Sequence, residues 1–258
     1  MTDGLNPDDL TPWSSLRHFT DARIALGRAG TSLPTRELLR FNAAHAAARD
    51  AVHAPADFET LAAVLSARGE VVLNVHSRAA DRAEYLRRPD LGRTLAPESL
   101  AALEGQVASD VVVVVADGLS AGALAHVPPL LALLLPELRS AGLSVGPVVL
   151  ARQARVALGD PVALALGARL VLVLIGERPG LSSPDSLGAY LTFAPQLLTR
   201  DSARNCVSNI RPAGLSVRVA AWRLAHLIRQ ALRRELSGVT LKDEGGEPPP
   251  DFAPLPRA

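Results

Sequence analysis

Asp110-Val-Val-Val-Val-Val-Ala116 decides the fold. A continuous β-branched run without polar alternation suits a strand buried on both faces of a parallel sheet, where helices cover both sides. Working outward, Leu170–Ile175 is a second unbroken apolar run. Val71–Val75, Val148–Leu150 and Ala189–Phe193 are shorter strand candidates. Helical stretches fall between them. Pro97 opens one to about Ala108, and a Leu/Ala-rich one, interrupted by Pro128 and Pro129, stops at Gly142. Pro161–Leu166 is followed by Gly167, and Leu215–Glu235 closes the series. Strands alternating with helices at this spacing predict an α/β fold, a Rossmann-like doubly wound and mostly parallel sheet over residues 71–242.

The flanks read differently. Residues 1–70 form an N-terminal arm and a small helical domain. Thr35 can cap a helix from Arg36 toward Val52, with Leu38, Leu39, Ala43, Ala46 and Ala47 on one face, and Ala56–Arg68 reads as a second helix closed by Gly69. Residues 243–258 hold five prolines and four acids, too little apolar surface to order a segment, so a disordered tail is expected.

Composition narrows the function. The chain has 258 residues, 48% hydrophobic but 3% aromatic, with 27 Lys+Arg against 26 Asp+Glu. A net charge of +1 argues against electrostatic nucleic-acid binding. One cysteine, Cys206, excludes a disulfide framework and a cysteine-rich zinc site. The polar, acidic start and the prolines flanking Leu130–Leu135 predict neither a signal peptide nor a membrane span. A reducing, cytoplasmic setting is expected. The six histidines form no i, i+4 pair and no His-Glu-x-x-His, so no catalytic metal is expected.

Gly118-Leu-Ser-Ala-Gly122 is a literal G-x-S-x-G between a buried strand and a helix, the context of a nucleophile elbow. A serine hydrolase using Ser120 is therefore one reading. It lacks a base: only His126 and His226 follow Ser120, the first leaving no room for an intervening acid. His226 lies opposite the apolar spine of the last helix. The bland reading has Ser120 capping a helix, and Asp117 and Asp160 as cap or turn residues. A plain nucleotide-binding module is a further alternative, although no G-x-G-x-x-G follows either strong strand. No complete catalytic set is present.

In open α/β sheets ligands bind beyond the carboxyl ends of the strands. Asp117–Ser120, Gly176–Leu181 with Ser182–Ser186, and the polar connection Asn205–Arg211 are the segments placed there. Without further information Glu177 would pair with Arg178 or another arginine, Cys206 would be a small packing residue and Asn209 would close a turn.

Six strings then occur in one order: Tyr85-Leu-Arg-Arg-Pro-Asp-Leu-Gly-Arg93, Val114-Val-Ala-Asp-Gly-Leu-Ser120, Gly167-Ala-Arg-Leu170, Ile175-Gly-Glu-Arg-Pro-Gly-Leu181, Asp185-Ser-Leu187 and Arg204-Asn-Cys-Val-Ser-Asn-Ile210. With Arg23–Gly30 and Leu38–Phe41 upstream, they resemble the small (light) subunit family of ethanolamine ammonia-lyase. The resemblance implies a subunit of an adenosylcobalamin-dependent enzyme that turns ethanolamine into acetaldehyde and ammonia by radical chemistry. It implies a TIM-barrel large subunit that holds the substrate, a higher-order hetero-oligomer, and a small subunit that contributes no catalytic residue. It also implies cobalamin contacts at Val156, Glu177 and Cys206. Val156 would pack on a flat apolar edge, Glu177 would accept hydrogen bonds from corrin amides or a ribose hydroxyl, and Cys206 would line the site without ligating cobalt. Family members often begin with an extension that directs them into a bacterial microcompartment. Here the likeness starts near Trp13, so a free cytoplasmic enzyme is expected.

Overall fold

The computed structural model describes residues 14–197, 199–250 and Phe252. In chain order the elements are α1 (Thr35–His53), α2 (Phe58–Ser66), β1 (Val72–His76), α3 (Arg82–Arg87), α4 (Pro97–Ala101), β2 (Val111–Ala116) and α5 (Val127–Ser140). They continue with β3 (Val145–Arg152), α6 (Gly159–Ala165), β4 (Leu170–Gly176), β5 (Leu187–Phe193), β6 (Asn205–Ile210) and α7 (Val217–Arg234). The six strands form one sheet in the order β1-β3-β2-β4-β5-β6.

The fold is α/β, as expected, and the sheet is mixed: four strands run parallel and two antiparallel. β1, β3, β2 and β4 run parallel, with Val114 beside both Val149 and Val173. β5 and β6 are antiparallel to their neighbours, with Leu174 opposite Ala189 and Tyr190 opposite Cys206. The physical reason lies in the connections. Parallel neighbours need a crossover, commonly a helix, whereas the segment between Gly176 and Leu187 holds no helix and can only fold the chain back. Asn205–Ile210, read as a polar connection, is the edge strand β6. Its alternation of buried Val207 and Ile210 with exposed Cys206, Ser208 and Asn209 is half polar, which hides a strand from a search for apolar runs.

Both faces of β2 are buried. Val111, Val113 and Val115 join Phe58, Leu61 and Leu65 of α2 and the leucines of α5 and α7 in one core. Val112, Val114 and Ala116 pack with Leu95, Leu103, Leu158, Val162 and Leu166 on the other. Each fully buried valine is worth about 1.5–3 kcal/mol over an exposed one. The expected helix breakers Pro128 and Pro129 sit instead in the first turn of α5, where a missing N–H costs nothing. Ala121–Ser140 is the one helical stretch among the described residues long and apolar enough to cross a membrane. Seven α5 residues in it, Leu130 and Leu134 among them, are buried in the core.

The helical flank divides in two. α2 belongs to the core, while α1 buries only Glu37, whose carboxylate accepts from Arg40 at 2.8 Å. Leu38 and Leu39, expected on a packed face, are 49% and 62% exposed. At the other end residues 243–250 and Phe252 run along α7. Trp222 Nε1 donates to the Gly245 carbonyl at 2.8 Å, and Phe252 meets the Trp222 ring edge-on at 5.2 Å. Phe252, the one aromatic in a proline-rich segment, supplies the apolar anchor that a composition argument averages away. Asp251 and residues 253–258 lie outside the described residues.

Candidate functional site

A cleft of about 910 Å³ opens at the carboxyl ends of β2 and β4, where the parallel strands meet the antiparallel edge. Its floor is backbone. Gly118 has φ +56°, and a Cβ there would lie 2.2 Å from the Gly176 carbonyl oxygen; a Cβ on Gly176 would lie 2.0 Å from the Ser120 carbonyl. Leu119 N–H donates to Gly176 O at 2.9 Å. Asp-Gly-Leu-Ser and Ile-Gly-Glu are thus two halves of one contact, possible only between residues without side chains.

Val156, Glu177 and Cys206 all line this cleft. Val156, half-buried, follows β3 in a short 3₁₀ turn, with Ala157 beside it. Glu177 ends β4. Its Oε2 accepts from the Ser186 hydroxyl and, at 3.1 Å, from the Asn209 N–H. The expected pairing of Glu177 with an arginine is not made. Asn209 points its amide this way because it holds a left-handed φ of 59°, a conformation asparagine tolerates, at the irregular end of β6. Asn209 therefore shapes the site, and its signal in the sequence was only a polar segment.

Cys206 is exposed and sits across from Tyr190. Protein on the cleft side still removes enough solvent to push its thiol pKa up, against the lowering effect of a hydrogen bond with Tyr190. Burial likewise pushes the Tyr190 phenol up, and Cys206 and Glu177 add to it. Both groups are neutral near pH 7, which makes Cys206 a lining thiol and a poor nucleophile. Sequence reasoning missed Tyr190, which lay unnoticed within a strand.

Opposite stands Tyr85, fully buried, its hydroxyl donating to Ala154 O at 3.1 Å. The Arg155 guanidinium lies 4.3 Å from the ring centroid and Arg82 lies 4.9 Å from it. Gly92 is required here, since a Cβ would come within 2.9 Å of the ring. Asp117 braces the same wall: its carboxylate accepts from the backbone N–H groups of Gln153 at 3.0 Å and Ala154 at 3.1 Å, with Arg82 at 3.7 Å. Burial pushes the Asp117 carboxyl up, against those amides and Arg82. This carboxylate is a structural tie between distant segments and not the local cap or turn residue expected.

Ser120 is no exposed nucleophile, and although it stands at the N-cap position before Ala121–His126 its side chain makes no capping bond. It is 0% exposed, and its hydroxyl donates to Pro184 O at 2.7 Å. The His126 imidazole faces Asp185 at 3.4 Å. His226 is half-buried on α7, with Gly245 passing over its ring. No hydrolytic triad assembles among the described residues. Nor does any group of three or more His, Cys, Asp or Glu among them offer a metal site. Asp160, also read as a cap, is buried in an ion pair with Arg204 at 2.6 Å, tying α6 to the start of β6.

Residues 10–242 match the family model described as "Ethanolamine ammonia-lyase light chain (EutC)". The ethanolamine ammonia-lyase small subunit of Ralstonia nicotianae is 54% identical over 243 residues, covering 92% of this chain and 90% of its own. That of Pseudomonas fluorescens is 54% identical over 243 residues (92% and 89%), and that of Azotobacter vinelandii 54% over 245 (93% and 91%). A match this long and this close settles the family where single motifs could not. The chain is a member of the ethanolamine ammonia-lyase light-chain family, and so a subunit of a carbon–nitrogen lyase.

Proposed function

We propose that this chain binds adenosylcobalamin in the cleft, at its interface with a TIM-barrel large subunit, within a higher-order hetero-oligomer that works in the cytoplasm. The observation that carries the reading is the convergence of Val156, Glu177 and Cys206 on one cleft that contains no acid–base set. The donor set suits the cofactor. Glu177 offers a held carboxylate acceptor to amide N–H groups and ribose hydroxyls. Val156, Ala157, Leu119 and Ile175 offer apolar surface for a flat ring, and neutral Cys206 and Tyr190 fill the edge. Pockets of roughly 300–1,000 Å³ hold drug-sized ligands. A cleft of about 910 Å³ would enclose only part of a molecule as large as cobalamin, and a second protein would cover the rest. When bound, the cofactor supplies the cobalt–carbon bond whose homolysis starts the radical chemistry. This chain's own residues bind, orient and shield. A Rossmann-like, doubly wound arrangement around the four parallel strands is part of the same proposal.

Co-expression with a large subunit tests it. The complex should deaminate ethanolamine only when adenosylcobalamin is added. Glu177→Ala should weaken cofactor binding by roughly 10-fold or more, the weight of one or two hydrogen bonds to a charged acceptor. Unchanged affinity in an intact complex would refute the assignment of Glu177.

A further inference from the structure

The cleft carries more positive charge than its carboxylates neutralise. Arg93, Arg155, Arg178, Arg204 and Arg211 line it, against Glu177 and Asp201. Arg204 is bound to Asp160, and Arg211 donates to Asn209 Oδ1 and Ser182 O. Glu177 is taken by Ser186 and Asn209. Among the described residues Arg93, Arg155 and Arg178 form no ion pair.

Arg155 is the best organised of the three. Its backbone N–H donates to Gly92 O at 2.8 Å, and the Tyr85 ring supports its guanidinium. A Cβ on Gly92 would lie 3.0 Å from Arg155 Cγ, so this glycine also leaves space for the side chain. Its Nε is buried without a hydrogen-bond partner. Only a weak contact, 3.4 Å to Tyr85 O, occupies the terminal nitrogens. Since Arg155 is bonded to Gly92, Arg93 follows in the chain directly beside it. The side chain as a whole is only partly buried, so with Nε unpartnered inside and the guanidinium over the Tyr85 ring its terminal donors remain open to an oxyanion.

We infer that Arg155, assisted by Arg93, is the anion-binding arm of the cleft and holds the phosphodiester of the cobalamin nucleotide loop. This rests on the cobalamin reading above and adds to it residues which that reading does not assign. Together with Glu177 the cleft then has two chemically opposite ends, one for hydroxyl and amide donors and one for an anion.

The test uses the complex with the large subunit and two probes, adenosylcobalamin and adenosylcobinamide, which lacks the phosphodiester, ribose and base. Binding is followed by the cobalamin absorbance of the retained cofactor, without turnover. Arg155→Met should weaken adenosylcobalamin binding about 10- to 100-fold, the range of charge-assisted bonds, and leave adenosylcobinamide affinity unchanged. Arg155→Lys should recover part of the loss, and Arg93→Met should give a smaller selective loss. Equal loss on both probes, or none on either, for Arg155→Met overturns the inference; a selective loss in Arg93→Met alone does the same. If the unaltered complex binds neither probe, the cobalamin reading itself fails.

Discussion

The four parallel strands and the two antiparallel ones form a single sheet under different constraints. β2 and β4 are buried along their whole lengths and carry almost no chemistry. β6 buries only Val207 and Ile210, yet with β5 it brings Tyr190, Cys206 and Asn209 to the cleft. Burial on both faces leaves a strand no side chain to spare for a ligand. An edge strand, pinned on one side, can devote alternate residues to binding. The cleft therefore forms at the seam, using the rigid half for its floor and the edge for its wall.

The largest expected effect comes from breaking the tie between the halves. Arg204→Met would leave Asp160, 1% exposed, as an unpaired buried carboxylate, at a cost of about 3–5 kcal/mol in urea unfolding. The double variant Arg204→Met with Asp160→Leu should recover most of that loss. A double variant as unstable as the single one would show that the hydrogen bonds to Thr192 and Thr199, rather than the charge pair, join the halves.

Next is a contrast between cores. Leu150→Ala in β3, fully buried, should cost about 3 kcal/mol, whereas Cys206→Ala at the exposed edge should cost well under 1 kcal/mol. Comparable losses would erase the distinction between scaffold and wall.

A pH effect follows on the Tyr85 side. Burial pushes this phenol up to about 12, against about 10 in an unfolded chain. Because the folded value is the higher one, the stabilisation is complete below about pH 10 and is lost as the pH rises toward 12, by roughly 2–3 kcal/mol. Tyr85→Phe should be less stable than wild type below pH 10 by about 1 kcal/mol, having lost the bond to Ala154. The gap should close above pH 10 and reverse by about pH 12, because the loss of roughly 2–3 kcal/mol in wild type exceeds the hydrogen bond's contribution. A gap independent of pH would show that Tyr85 ionises freely.

The smallest effect concerns Cys206. With its thiol pKa raised, alkylation at pH 8 should run slower than for a free thiol by roughly a few-fold, despite its exposure. Tyr190→Phe should slow it further, because the hydrogen bond it removes is the one that lowers that pKa.

The same contrast explains what could be read in advance. Val111–Val115 and Leu170–Ile175 announce themselves because strands covered on both faces must be apolar throughout. β6 does not, since Asn205, Ser208 and Asn209 interrupt any apolar run and only Val207 and Ile210 are buried; its pairing with β5 is visible only in the fold. Residue identity at the cleft was legible through short strings resembling a family; its geometry was not. Nothing in Gly-Glu-Arg-Pro-Gly says that Glu177 is held by an amide 32 positions further on, in a residue with left-handed backbone. The face of α1 was read as packed from periodicity alone, but a helix can be amphipathic with no cover in its own chain, as Leu38 and Leu39 demonstrate.

The glycine floor has a consequence for how this site can change. Where Gly118 and Gly176 pack together, any ligand in the cleft would lie over peptide groups, and these are the same whatever the surrounding sequence becomes. No substitution can retune that surface; it can only obstruct it. Affinity and selectivity must therefore be adjusted at the walls, by an arginine on one side or a carboxylate on the other, while the base of the site stays chemically fixed.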